Sequence, residues 1–346
     1  MLEIDFTYHP CRFLNAGTTS RGTLWEKPSW ILKISNNETQ QIGYGEVSLI
    51  PKLSPEKAEE IPALLNWLKQ HINEPREYLF EFLNNCPAVL FGLESAFTQL
   101  DLGIDTQTWF SSPWLKGNEA IEINGLVWMN DFPTMLKAAE EKIADGFRCI
   151  KIKIGAIHLE DELKLVAHIR NLNPDIEIRL DANGAFQPDE VLNVLEAFAA
   201  FQIHSIEQPI AIGQHKEMQK LARISPIPIA LDEELIGIYD PLEKNELLRF
   251  IKPQYIILKP SLMGGISGSD NWISNAESLG ISWWGTSALE SNLGLTVIAQ
   301  WLATKELNMP QGLGTGGLFS NNFPSCLELK GPKLFFNPIK KLRLPL

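Results

Sequence analysis

The sequence predicts an α/β barrel preceded by an α+β domain. From about residue 120, short apolar runs alternate strictly with helical stretches, which means a parallel sheet with helices outside it. The alternation runs to seven or eight units. That number favours a closed ring, because an open doubly wound sheet gathers its ligands at one switch point. Charged residues follow five consecutive runs: the Lys151–Lys153 pair, Asp181, Glu207, Asp232 and Lys259. Acids and lysines at the C-terminal ends of successive strands are how a barrel active site looks when unrolled.

The first part of the chain, to about residue 115, follows another grammar. Phe6 to His9, Ser29 to Ile34 and Gly43 to Val47 read as strands. Turn-rich segments such as Asn15 to Gly22 separate them. Helices follow, from about Ser54 to His71 and from Pro87 to Leu102. The second opens on a proline suited to a first helical turn and closes near Gly103. Strands first and helices after make an α+β pattern. The first domain is thus placed at 1–115 and the barrel at 116–320, with the tail of about 320–346 expected to return to the first domain.

The barrel units come next. Gly125 to Met129 reads as a strand, and Phe132 to Ala144 as a helix closed by Gly146. The strand bearing the lysine pair follows. Later strands are Ile176 to Leu180, Ser205–Ile206, Ile227 to Leu231, Tyr255 to Leu258 and Ile281 to Trp284. Helices are expected over about 159–172, 188–201, 214–223, 240–249, 266–279 and 291–304.

The chain's 346 residues leave room for two domains. A net charge of −12 argues against nucleic acid or an anionic membrane as partner. No signal-peptide pattern opens the chain and no apolar run reaches a membrane-spanning length, so a cytoplasmic enzyme without membrane insertion is expected. Cys11, Cys86, Cys149 and Cys326 are far apart and form no CxxC. They read as reduced thiols. Cys149 lies beside the lysine pair, where a packing role is weighed above a catalytic one.

Asp181, Glu207 and Asp232 each end a strand, so in a barrel their side chains converge at one end of the axis. Three anions together repel. A Mg²⁺ ion, with Mn²⁺ as a substitute, would relieve this by taking one oxygen from each. Glu233 competes with Asp232 as third ligand; Asp232 is preferred because it follows its strand directly. Lys151 and Lys153 are two apart on one strand and share a face. A lysine face toward the axis is odd for a barrel interior, which branched apolar residues usually fill. Two adjacent ammonium groups are expected to depress each other's pKa, as a usable base requires. Lys259 would stand opposite them in a closed ring. A cation between opposed lysines suits proton removal next to a carboxylate.

Other features are weaker. The segment Gly312 to Gly317, with Gly314 within it, resembles a dinucleotide fingerprint but has no suitable helix and acidic strand end after it. A glycine loop offering N–H groups to a substrate carboxylate fits better. Thr286, Ser287 and Glu290 follow a strand, where they either meet substrate or cap the helix beginning near Ser291. Thr19 and Arg21, in the Asn15–Gly22 segment, are expected to close over the barrel mouth and contact substrate. The six histidines show no paired metal spacing and read as structural.

Five motifs in order carry a resemblance: Lys151-Ile152-Lys153, Leu180-Asp181-Ala182-Asn183, Ile206-Glu207-Gln208-Pro209, Leu231-Asp232-Glu233 and Leu258-Lys259-Pro260. On these the chain resembles the muconate-lactonizing branch of the enolase superfamily. The resemblance spans nearly the whole chain. It implies a modified (β/α)7β TIM-type barrel with an N-terminal α+β capping domain. It also implies Mg²⁺ held by Asp181, Glu207 and Asp232, Lys153 as acid/base and Lys259 as the opposing lysine. Within the branch, Gly285 to Leu295 and Gly312 to Phe319 are similar to the o-succinylbenzoate synthases. In that family the segments matching Thr286 and Gly312 face the substrate. The reaction so implied is a syn dehydration of a small cyclic carboxylate in menaquinone biosynthesis. A racemase of N-acylamino acids or a dipeptide epimerase uses the same constellation and is the rival reading. A non-catalytic binding scaffold is disfavoured by the intact set of ligands and lysines. Oligomeric state is not legible.

Overall fold

A computed structural model describes residues 1–19, 22–103 and 107–344 of the chain. Arg21 and the side chain of Thr19 lie outside the described residues. Strands β1 (Leu2–Tyr8), β2 (Cys11–Thr19), β3 (Gly22–Lys27), β4 (Ser29–Asn36) and β5 (Ile42–Ser48) come first. β1, β4 and β5 form an antiparallel sheet in that order, and β2 pairs with β3. Asn15–Thr19 and Gly22 therefore belong to strands, not to the separating turn that glycine and polar content suggested. The β2–β3 ladder shifts register between Arg12 and Gly17, an irregularity that absorbs the extra residues.

Helices α1 (Ile61–His71), α2 (Arg76–Phe82) and α3 (Pro87–Leu102) follow. α1 starts seven residues later than the expected Ser54. Pro62 lies in its first turn, where the fixed φ costs nothing. Ahead of it, Glu56 is turned toward α3, whose Ala88 N–H donates to its Oε1 at 2.7 Å. α3 lies directly on β5 because two glycines let it. A Cβ on Gly43 would meet Ala96 O at 1.9 Å, and one on Gly45 would meet Gly92 O at 1.8 Å. Ile4, Leu32, Leu65, Val89 and Phe97 belong to the core of this layer.

The barrel begins after a short strand, β6 (Ile121–Glu122). Its units are β7 (Gly125–Val127), α4 (Phe132–Ala144), β8 (Cys149–Lys153), α5 (Leu159–Leu172), β9 (Glu177–Asp181), α6 (Val191–Ala199), β10 (Ser205–Glu207), α7 (His215–Ile224), β11 (Ile229–Leu231), α8 (Pro241–Ile251), β12 (Tyr255–Leu258), α9 (Gly265–Ser278), β13 (Ser282–Gly285) and α10 (Asn292–Leu302). β7 to β13 form one parallel sheet in sequential order. The Gln311–Gly312 segment joins its two edges: Gln311 bridges Ile123 and Gly312 bridges Thr286, both in parallel. It is the eighth stave, so the ring is (β/α)7β. Apolar side chains between sheet and helices, such as Ile150, Ile152, Leu180, Ile229 and Leu258, are fully buried.

The interior is less usual. Arg179, 1% exposed, lies with its guanidinium 4.2 Å from the Trp284 ring centre and donates to Glu177 Oε1 and Pro310 O. Charge and aromatics thus fill a layer that branched apolar residues commonly occupy. Two further strands, β14 (Leu327–Lys330) and β15 (Lys333–Phe336), were not anticipated; β15 pairs with β6. Before them, Leu318 and Ser320 exchange backbone hydrogen bonds with Leu14 and Arg12 of β2.

Candidate active site

Strand ends build the site. In the ladders Lys153 faces Asp181 and Asp181 faces Glu207, so one layer of side chains turns inward together. Asp181, Glu207 and Asp232 are 0%, 2% and 0% exposed. Lys151 Nζ lies 2.7 Å from Asp181 Oδ2 and 2.5 Å from Glu207 Oε2. Lys153 Nζ lies 2.6 Å from Asp181 Oδ2. Lys259 Nζ pairs with Asp232 Oδ2. β8 and β12 are four staves apart in an eight-stave ring, so Lys153 and Lys259 enter from opposite sides.

Electrostatics follow from this packing. Burial alone would lower Lys151, but Asp181, Glu207 and Asp232 outweigh it and hold its pKa above the ordinary lysine value. Lys259 is raised in the same way, against burial, by Asp232, Glu207 and Glu233. The expected mutual depression of the lysine pair therefore fails for Lys151: two carboxylates in contact outweigh one neighbouring ammonium. Burial works to raise Asp181, yet Lys151 and Lys153 hold it below the usual carboxylate range. Burial and then Asp181 push Glu207 well up. Asp232 is lowered, chiefly by Lys259 against burial.

Do these residues suit a divalent cation? Glu207 Oε1, Asp232 Oδ1 and Glu233 Oε2 are buried oxygens with no hydrogen-bond partner. Hard carboxylate oxygens without partners match what Mg²⁺ takes. Among the described residues no three acids stand already closed around a common point; the ammonium groups lie between them. Donor type and unused oxygens fit the ion, and ligation requires the lysines to yield a little.

Two motif residues to which the sequence alone assigned no role support this layer. Asn183 Oδ1 accepts from Lys153 Nζ at 2.6 Å while its Nδ2 donates to Glu233 Oε1 at 2.8 Å. Gln208 Nε2 donates to Glu234 Oε2, and its Oε1 accepts from the Asp232 and Glu234 amides. Asn183 and Gln208 both have positive φ, 45° and 40°, a conformation that costs energy outside glycine. The signal was present one or two residues after the strand-end acids Glu207 and Asp181, but the partners of Gln208 and Asn183 are distant in sequence.

A cavity of about 320 Å³ opens over the layer. Lys151, Lys153, Asn183, Glu233 and Lys259 line it, as do Thr286, Ser287, Gly312 and Gly314. Ile50 and Leu53, from the segment after β5, also line it, and neither was singled out from sequence. Thr286 Oγ1 donates to Gly312 O at 2.9 Å. Ser287 Oγ donates to Glu290 Oε2 and accepts from Leu289 N–H. The capping alternative falls away for Thr286, Ser287 and Glu290, because Ser291 itself caps α10. Cys149 is buried, donates to Glu177 Oε1 and has its thiol pushed well up by burial. It does not line the cavity, and among the described residues no histidine does.

The chain matches the family model described as enolase C-terminal domain-like over residues 134–313. It is 42% identical to the o-succinylbenzoate synthase of Desulfotalea psychrophila, over 95% of this chain and 98% of that protein. It is 27% identical to the L-Ala-D/L-Glu epimerase of Bacillus subtilis, over 54% of this chain and 51% of that protein. The crystal structure of MenC from Desulfotalea psychrophila superposes with a TM-score of 0.86 at 38% identity, covering 96% of this chain and 99% of that one.

Proposed function

We propose, for a chain that belongs to the enolase superfamily, the reaction of an o-succinylbenzoate synthase: a hydro-lyase step that converts a hydroxycyclohexadiene carboxylate into o-succinylbenzoate in menaquinone biosynthesis. The 42% identity to such an enzyme over 95% of this chain carries this reading. Its substrate is a small carboxylate, and its setting the cytoplasm. Among the described residues no helix is long and apolar enough to cross a membrane. On this reading residues 1–115 cap a barrel of residues 116–320, and the tail of about 320–346 returns to the cap.

Asp181, Glu207 and Asp232 would hold Mg²⁺, with Mn²⁺ as a substitute. The ion would supply positive charge where the substrate carboxylate gathers electrons. Lys153 Nζ takes the proton from the carbon α to the carboxylate. The electron pair left behind forms the new ring double bond as the C–O bond to the hydroxyl breaks. Lys153 returns its proton to that oxygen, and water leaves from the same face. Lys259, opposite and kept cationic by Asp232, steadies the negative charge without exchanging a proton. Lys151 stays an ammonium that fixes Asp181 and Glu207. Thr286, Ser287, Gly312 and Gly314 offer polar contacts to the substrate's succinyl and carboxylate oxygens, and Thr19 and Arg21 remain candidates for the same work.

The epimerase alternative calls for an acid facing a substrate ammonium near the loops after residue 285. Among the described residues the cavity wall over 286–289 and 312–318 holds none. Glu290 is fully buried and takes its hydrogen bonds from Ser261 and Ser287. The test is purified protein with Mg²⁺ and the hydroxycyclohexadiene acid, run beside a panel of N-succinylamino acids. Rapid dehydration is expected. Efficient inversion of the amino acids with no dehydration would overturn the assignment.

A further inference from the structure

We propose that Glu46 is a positioning residue: it fixes the capping sheet to the barrel and so sets the cavity wall formed by Ile50 and Leu53. Glu46 stands on β5 and is fully buried. Its carboxylate accepts four hydrogen bonds. One comes from Ser29 Oγ of the neighbouring strand, at 2.8 Å. The other three come from the start of α10: Ser291 N–H at 3.0 Å, Ser291 Oγ at 2.6 Å and Gly294 N–H at 2.9 Å. A carboxylate among otherwise unpaired N–H groups of a helix's first turn is held by charge as well as by hydrogen bonds. Position 294 leaves no room for a side chain, since a Cβ there would lie 2.9 Å from Glu46 Oε2.

The placement of this contact gives it consequences. On the barrel side, α10 follows directly from the 286–289 wall. On the cap side, the chain runs from Glu46 through the end of β5 to Ile50 and Leu53, four and seven residues on, which line the same cavity as Lys153 and Lys259. A second contact restrains the same unit. α3, pressed against β5 at Gly43 and Gly45, carries Glu94, which accepts from Ile266 N–H at 2.6 Å and Ser267 N–H at 3.2 Å at the start of α9. Two attachments to two barrel helices stop the sheet from sliding or rotating over the cavity. Glu46 is the nearer in sequence to the wall residues, so its loss moves them most. It touches neither the lysines nor the carboxylates, and its effect on turnover passes through Ile50 and Leu53.

This inference rests on the proposed dehydration, and a double-mutant cycle tests it. Glu46→Gln keeps the size of the side chain but turns an NH₂ group toward N–H donors. Its KM should rise about tenfold while kcat stays within about threefold. In a Leu53→Ala background, where that wall is already lost, the same change should raise KM by only about twofold. If Glu46→Gln does not fold, Ser291→Ala removes one of the four donors and should give the same non-additive pattern more weakly. Additive effects, or a loss of kcat with KM unchanged, would overturn the proposal. Hydrogen exchange gives a readout that does not depend on the reaction. The Ile50 and Leu53 amides, bonded to Ser54 Oγ and Ile50 O, should exchange faster in Glu46→Gln while those of α5 do not change. Unaltered exchange at Ile50 and Leu53 sinks the latch. A wild type without turnover but with this exchange pattern sinks only the reaction.

Discussion

Asn183 holds Lys153: its Oδ1 accepts from Lys153 Nζ at 2.6 Å, and the same amide is anchored by donating to Glu233. The proposed base is thereby aimed from the turn after β9 rather than from its own strand. Asn183→Ala should lower kcat by on the order of tenfold to a hundredfold with little change in melting temperature, as expected when a reacting group loses its orientation. Unchanged kcat would show that Asp181 alone orients the lysine.

Removal of the ion is the second expectation. EDTA should silence the enzyme and Mg²⁺ restore it. Asp181→Asn, Glu207→Gln and Asp232→Asn should each abolish turnover and weaken Mg²⁺ binding in calorimetry while circular dichroism stays native. Glu233→Gln separates the two third-ligand candidates, because Glu233 is engaged with Asn183. It should leave Mg²⁺ affinity within a few-fold. Full activity in metal-free buffer contradicts the whole scheme.

Lysine variants separate a one-base from a two-base reaction. Lys153→Ala should eliminate dehydration. Lys259→Arg keeps a cation near Asp232 but cannot readily serve as a base, so measurable dehydration should persist. A racemase would need both lysines, and Lys259→Arg would then stop inversion in at least one direction while solvent exchange of the α-proton continued. Loss of dehydration in Lys259→Arg to the level of Lys153→Ala would count against the role given to Lys259.

Stability should fall as pH rises through neutrality on account of Glu94. Burial pushes its carboxyl up to about 7, against the opposing pull of Ser267 and the Ile266 amide, and Asp270 adds to the rise. The folded pKa thus exceeds the unfolded one, near 4.5. The folded state binds the proton more tightly, so the contribution is fully present below about pH 4.5 and is lost as pH climbs through about 7. Glu94→Gln, which cannot ionise, should gain on the wild type between pH 5 and 8, by on the order of 3 kcal/mol. Denaturant melts at both ends of the range check this. A pH-independent difference would mean that the α9 terminus stabilises the charged form after all.

A steric prediction concerns the seat of α3. Gly45→Ala would bring a Cβ to within 1.8 Å of the Gly92 carbonyl, and backbone on both sides leaves nothing flexible to yield. The expected loss is about 3 kcal/mol or more. A variant with a wild-type melting temperature would show that the sheet and helix can part without cost.

How much could be read without the fold follows from the range of each interaction. The period of the apolar runs gave the alternation from β7 to α10, because periodicity is a local property of the backbone. Lys151, Lys153, Asp181, Glu207, Asp232 and Lys259 were legible since each directly follows or ends such a run, and strand ends in a closed ring must share one rim. Glycine and polar residues at 15–19 and at 22 misled, because pairing with a second strand overrides local turn preference. The elevated pKa of Lys151 was hidden for a related reason: only the side-by-side pairing of β8, β9 and β10 brings Asp181 and Glu207 within 2.7 Å of its ammonium. Glu46 and Glu94 looked like ordinary strand and helix residues. Their partners, Ser291 and Ile266, lie 245 and 172 positions away, and no local pattern encodes a contact at that distance. Local chemistry along the chain determined the staves, their order and the charged groups at their ends. Tertiary packing decided which groups neutralise one another, where the eighth stave closes the ring, and how the cap is held over the cavity. Burial and hydrogen bonding of those groups depend on surfaces that exist only once the ring has closed.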